Sequence, residues 1–175
     1  MSNVLHRATP AQTETIMTQV VQPNDTNPLG SLHGGRLLYW MDECSAIAAT
    51  KHSRAVVVTV SVDGVSFKNS IDVGDIVSIK AKVTRTFKTS MEVFIEVWAE
   101  NIPKNEKIKC NEAYYTFVAL DERRHPHPVH EIFPETEEEQ RLYDGAIRRR
   151  QVRLILGGKM KVEDANELRA LFLKE

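Results

Sequence analysis

Cysteine is scarce. Cys44 and Cys110 are the whole complement, too few for a disulfide framework. No apolar run approaches the roughly 20 residues that a membrane helix needs. The start, MSNVLHRATPAQTET, is polar and lacks a basic-then-apolar leader. Together these absences predict a reduced, cytoplasmic protein with no membrane partner. An excess of charge of either sign is also missing. A formal net charge of -1 gives no bulk attraction for a polyanion, and no DNA-binding helix pair is evident, so no nucleic-acid partner is expected. There is no GxSxG elbow and no glycine-rich phosphate loop, which leaves serine-hydrolase and nucleotide-hydrolase chemistry without support. No segment repeats another.

What is present fits one ordinary domain. The chain has 175 residues, 42% of them apolar, enough to bury a core. Thr15 to Val21 is β-branched and reads as a strand. Gln22 to Ser31 is dense in Pro, Asn, Asp and Gly and reads as turns. His33 to His52 has good helix formers and no proline. It is apolar on nearly all sides, which predicts a helix buried all round. Four strand-like runs follow: Val56 to Val62, Asp75 to Thr84, Met91 to Ala99 and Ile108 to Ala119. Their period-two alternation predicts antiparallel strands with one wet face, and Thr59 and Ser61 fall on the polar side of the first. One helix against such a sheet makes an α+β domain. A His- and Pro-rich coil then leads to a helix from Glu135 to about Leu156, acids first and arginines last, as the helix dipole favours. After Gly157-Gly158 a short second helix, VEDANELRALFL, is predicted.

The segment DTNPLGSLHGGRLLYWMDE, Asp25 to Glu43, resembles the acyl-CoA thioesterases of the hotdog superfamily, in the cytosolic acyl-CoA hydrolase branch. Further matches follow in order: TVSVD, SFKNSIDVGDIVSIKAKV, KTSMEV, TFVALD and RRRQVRL. The likeness runs from about Thr15 to Leu154. It implies a long central helix wrapped by a curved antiparallel sheet of five to six strands. On this reading residues 1-133 are the hotdog domain and 134-175 a C-terminal helical extension. It also implies a homodimer, assembled further as a trimer of dimers, and an acyl-CoA substrate with no cofactor beyond it. The family's catalytic pair falls on Asn27 and Asp42. Its CoA contacts fall on Thr59, Val60 and Ser61, on Lys88, Thr89 and Ser90, and on Arg150.

The chemistry suits those residues. The first N–H groups of a helix lack intrahelical partners and carry partial positive charge, which favours an oxyanion. Gly34 and Gly35 have no side chain to block a carbonyl there. Asp42 can serve as general base on water or attack directly to give an anhydride, and both routes remain open. Asn27 can donate to the carbonyl or position water. Gly35 and Asp42 are seven residues apart, about 10 Å along a helix. Reacting atoms must approach to roughly 3–3.5 Å. A composite site across a twofold axis resolves the conflict: Asn27 and the Gly34–Gly35 end come from one chain, Asp42 from its partner. Two amides of pantetheine suit an extended strand, a Lys-Thr-Ser turn supplies an ammonium and hydroxyls, and arginine forks onto phosphate.

Plainer readings compete. Asp42 could be satisfied locally by Ser45, and Glu43 could pair with Arg36. Asn27 could be a turn former, Gly34 and Gly35 could permit close packing, and Cys44 reads as core filler. His33 could be a helix-start residue or a ligand contact. His125, His127 and His130 are separated by prolines, so a linker is favoured over a metal site. Two other functions stay in play: a hydratase or dehydratase pairing an acid with His33, and a non-catalytic acyl-CoA sensor.

Overall fold

The computed structural model describes residues 8–67 and 69–172. They divide into two compact units at Phe133–Pro134. In the first, a one-turn helix α1 (Pro10–Thr13) precedes β1 (Thr15–Val20), the long α2 (Gly34–Ser53) and then β2 (Val56–Asp63), β3 (Ile76–Thr86), β4 (Ser90–Asn101) and β5 (Glu106–Leu120). All five strands join one antiparallel sheet in the order β1-β3-β4-β5-β2. The count is five; no sixth strand joins it among the described residues.

The sheet core follows from alternation. Val77, Ile79, Ala81 and Val83 of β3 and Met91, Val93, Ile95 and Val97 of β4 are fully buried, and Ile79 lies opposite Val97, Ala81 opposite Ile95. β-Branched and aliphatic pairs of this kind are what hold neighbouring strands together. α2 lies on this face, mainly against β3 and β2.

Both ends of α2 are capped by its own sequence. The His33 ring accepts the Gly35 N–H through Nδ1 at 3.0 Å. At the other end Arg54 takes a left-handed φ of 55° and its N–H closes on Thr50 O at 2.9 Å, with Lys51 placed to favour the negative helix end. The buried residues are Leu37, Trp40, Met41, Cys44, Ser45, Ala48, Ala49 and His52, one stripe at helical spacing. The expectation of burial all round is therefore corrected for a single chain: Tyr39 and Ile47 on the other side are about half exposed, at 52% and 46%. The apolar composition exceeds what one sheet face can cover.

β2 and β3 stand on opposite sides of the sheet, so their link must cross it. That link, residues 64–75, runs past the start of α2. Leu32 N–H donates to Ile71 O at 2.7 Å, Ser31 bridges Asp72, and Phe67 stands 3.3 Å from where a Cβ on Gly34 would lie. The loop thereby fixes the helix start.

In the second unit α3 (Glu137–Leu156) begins with a reciprocal cap. Thr136 Oγ1 accepts the Glu139 N–H at 3.2 Å and Glu139 Oε2 accepts from Glu135 and Thr136. The helix thus starts after Glu135, because Thr136 is the better cap. The predicted second helix is broken. A 3-10 turn over Val162–Asp164 and the single-turn α4 (Asn166–Arg169) flank Ala165, whose ψ of 63° leaves the helical range. The Leu168 N–H goes instead to Gln151 Oε1 at 2.7 Å. Among the described residues no helix is long and apolar enough to cross a membrane.

Candidate active site

The carboxylate of Asp42 is held across the fold. Thr59 Oγ1 of β2 donates to Asp42 Oδ1 at 2.7 Å. Ser45, the local alternative, instead donates to Met41 O at 2.7 Å. Glu43 likewise takes a different partner from the expected Arg36: the Tyr39 hydroxyl donates to it at 2.7 Å, while Arg36 pairs with Asp25 at 2.8 Å.

A register shift just after Thr59 separates it from Ser61. β2 is out of step with β5 between Thr59 and Ser61, which leaves Val60 as the extra residue of a bulge. Thr59 lies opposite Phe117 and Val62 opposite Tyr115, both core residues, whereas Ser61 lies opposite Thr116. Directly paired residues share a sheet face. Thr59 and Val62 therefore face α2, and Ser61 faces away, donating to Asp63 Oδ1 at 3.0 Å. The expectation that Thr59 and Ser61 share a face is corrected by that one inserted residue.

Asp42 opens onto a cleft of about 500 Å³ lined by Gly35, Leu38, Tyr39, Asp42, Val62, Val65 and Tyr115. Apart from the carboxylate its walls are largely apolar. Tyr115 was not singled out from sequence, yet it is 1% exposed and its hydroxyl reaches Leu38 O at 3.5 Å. Burial pushes its pKa above the ordinary value, and the negative charge of Asp42 adds to that. Its place on the inner face is set by strand pairing, which three consecutive polar-tipped residues, Tyr114, Tyr115 and Thr116, do not reveal.

Other expected residues are placed less directly. Asn27 does not line this cleft. Its Oδ1 accepts the Leu29 N–H at 2.8 Å and its Nδ2 donates to Ser31 Oγ at 3.0 Å, so in this chain it shapes the turn ahead of α2. Gly35 does line the cleft, but its N–H is committed to His33, and a Cβ on Gly35 would sit 3.1 Å from His33 Nδ1. Lys88, Thr89 and Ser90 form the β3–β4 turn. Val129 N–H donates to Lys88 O at 3.2 Å and Ala119 N–H to Thr89 O at 3.0 Å. Ser90, Val118 and Val58 lie in one row across β4, β5 and β2, about 10 Å from end to end at two strand spacings. The turn and the Thr59–Ser61 segment therefore occupy the same end of the sheet. Arg150 stands on α3 of the second unit, half-buried, its pKa lowered by burial and by Arg153.

Cys44 behaves as core. Burial raises its thiol to about 11, and the thiol reaches Thr15 O at 3.5 Å and Ile79 O at 3.6 Å. His125, His127 and His130 form no metal-binding group among the described residues. The His52 ring instead donates through Nε2 to His130 O at 2.8 Å.

Relatives share this architecture. A family profile described as the thioesterase superfamily matches residues 29–105. A Bacillus subtilis protein named as the uncharacterised acyl-CoA thioester hydrolase YkhA is 38% identical over 79% of this chain and 80% of its own length. An acyl-CoA thioesterase solved as an apo-hexamer is 41% identical, with a TM-score of 0.83 over 86% of this chain and 97% of that one. The acyl-CoA hydrolase of Staphylococcus aureus, solved in complex with butyryl-CoA, CoA and CoA disulfide, is 34% identical, with a TM-score of 0.80 over 87% of this chain and 95% of that one. With the long helix α2 on a five-stranded antiparallel sheet, the chain belongs to the thioesterase superfamily, among its hotdog-fold acyl-CoA hydrolases.

Proposed function

We propose that this protein hydrolyses acyl-CoA thioesters to free CoA and a carboxylic acid, at a site completed by two copies of the chain. The observation that carries the reading is the Thr59–Asp42 hydrogen bond at the edge of a largely apolar cleft. The Thr59 hydroxyl occupies Oδ1 and leaves Oδ2 as the reactive oxygen. That atom either takes a proton from water as the water oxygen bonds the carbonyl carbon, or attacks the carbon itself. The C–S bond then breaks and the CoA thiolate takes up a proton, from protonated Asp42 on the first route and from solvent on the second. On the second route water then opens the Asp42–acyl anhydride, releasing the carboxylic acid and restoring the carboxylate.

The carbonyl oxygen needs donors that Asp42 lacks. Gly35 shares its cleft but lies seven residues earlier on the same helix, about 10 Å away along the axis. A second copy supplies the missing end: its Asn27 amide and its Gly34–Gly35 helix start face Asp42 of the first. The substrate carbonyl displaces His33 from the Gly35 N–H. The hexameric relative supports assembly of this kind, and a trimer of twofold dimers is the arrangement we favour. The edge strand β2 is apolar and open, with Val56 69% and Val60 54% exposed, as a surface meant for a second copy would be. Thr59, Val60 and Ser61, the Lys88–Ser90 turn and Arg150 hold the pantetheine arm and phosphates, and no cofactor beyond the substrate is required. A cytoplasmic location fits two free thiols. The Staphylococcus hydrolase has also been solved with one Asp, one Thr and one Asn each replaced by Ala, the residue types that carry this reading.

Thiol release over a ladder of acyl-CoAs tests it. Asp42→Asn keeps the shape and removes the charge, and turnover should fall by about 10²–10⁴-fold, the usual contribution of a general base. Mixed oligomers of Asn27→Ala and Asp42→Ala should recover activity that neither variant has alone. An unchanged rate in Asp42→Asn, or verified mixed oligomers without recovery, refutes the assignment.

A further inference from the structure

The same cleft carries information about which acyl chains enter it. Leu38 on α2 and Val62 and Val65 from the β2 side form apolar walls, with Asp42 and its Thr59 partner at one end. Tyr115 is the residue that crosses from the sheet to the helix. It starts on β5, is 1% exposed, and ends with its hydroxyl against the Leu38 carbonyl. Behind it stands Phe117, whose ring is stacked at 6.3 Å between centroids. The ring thus occupies the space through which a longer chain would pass between helix and sheet.

We infer that Tyr115 is the floor of the acyl pocket and limits this enzyme to short-chain acyl-CoAs. The inference rests on the hydrolase reading and adds a specificity-determining residue to it. Asp42 and Tyr115 line the same cleft, and the Tyr115 hydroxyl ends against the carbonyl of Leu38, four residues before Asp42 on α2, about 6 Å along the axis, so few carbons fit between the scissile carbonyl and the ring. A chain that outgrows this space meets a packed aromatic pair rather than water or a flexible loop. Packed interiors do not yield to even one extra methylene without strain. Specificity should therefore show as a sharp ceiling in chain length, not a gradual decline.

The test is kcat/KM for thiol release from acetyl- to palmitoyl-CoA with the wild-type oligomer, Tyr115→Ala, Tyr115→Leu and Tyr115→Phe. In the wild type kcat/KM should rise about three- to fourfold per methylene, the transfer value of a CH₂, and then stop at a short chain. Tyr115→Ala removes a ring and hydroxyl about 6 Å long. An extended chain advances about 1.2 Å per bond, so the ceiling should move out by roughly five carbons. Tyr115→Leu should move it less, and serves if the alanine variant fails to fold. Tyr115→Phe keeps the ring and should keep the ceiling. Folded Ala or Leu variants with the wild-type ceiling overturn the inference, as does a wild type that prefers long chains. A wild type that releases no thiol from any acyl-CoA overturns the hydrolase reading instead, a distinguishable result.

Discussion

β3 and β2 are both rich in β-branched residues, yet they have opposite fates. In β3 every second residue is fully buried, with a strand on either side. In β2 no residue is buried, and Val56, Val58, Val60 and Val62 all stay at least 40% exposed. The same side-chain chemistry serves two purposes. In the middle of the sheet it holds one chain together. At the edge it is left open, and just past Thr59 the strand slips by one residue.

The sharpest way to break this comparison is one substitution in each strand. Ile79→Ala empties a site with no solvent contact, and large-to-small changes of this kind cost about 2–5 kcal/mol. Val58→Lys places an ammonium on the open strand, where the chain itself buries little. Thermal unfolding and analytical ultracentrifugation should separate them. Ile79→Ala should lower Tm strongly while leaving the oligomer intact as long as it is folded. Val58→Lys should disperse the oligomer and abolish activity with it. A Val58→Lys protein that remains oligomeric and active would show that β2 faces solvent after all.

A smaller effect probes the contact between the two regions. Thr59→Val keeps the shape of the side chain and removes the hydrogen bond to Asp42. A bond to a charged group contributes about 1.5–3 kcal/mol, so kcat/KM should drop by about 10- to 100-fold while Thr59→Ser largely restores it. Stability should move less than that, because Thr59 is exposed and water can replace its hydroxyl on Asp42. Equal activity in the valine variant would reduce the 2.7 Å bond to a surface contact.

That bond also marks where the sequence stops being readable. β3 and β4 were legible because strict alternation and full burial coincide. The helix was legible in extent because its residue types leave no break between His33 and Arg54. Thr59 and Asp42 are 17 residues apart, and no local rule pairs them. The bulge just after Thr59 arises from pairing with β5 and turns Ser61 to the other face, whereas simple period-two reading puts Thr59 beside Ser61. Asn27 reads as a turn former from sequence and is one in this chain; the chemical role proposed for it draws on a second copy. The last helix failed for a local reason: Asp164 and Asn166 compete with helical backbone bonds, and the chain bends at Ala165 between them. Tyr115 was hidden because adjacent aromatics offer no clue to which faces inward.

The weakest expected effect lies at the far end of α2, where one buried side chain ties the helix to the segment after β5. His52 is 8% exposed. Burial lowers its pKa, outweighing the opposing hydrogen bond to the His130 carbonyl. The unfolded chain therefore binds the proton more readily than the folded one, and stability falls as pH drops. The contribution is complete above the ordinary histidine value of about 6.5 and is lost as pH falls below it toward the lowered folded value. Tm should decline from pH 7.5 to pH 5.5, and His52→Gln, which keeps an N–H donor without titrating, should flatten that slope. A slope unchanged in the glutamine variant would assign the acid sensitivity to other groups. It would leave this end of the helix as simple packing, in contrast to the end where Asp42 and Thr59 meet.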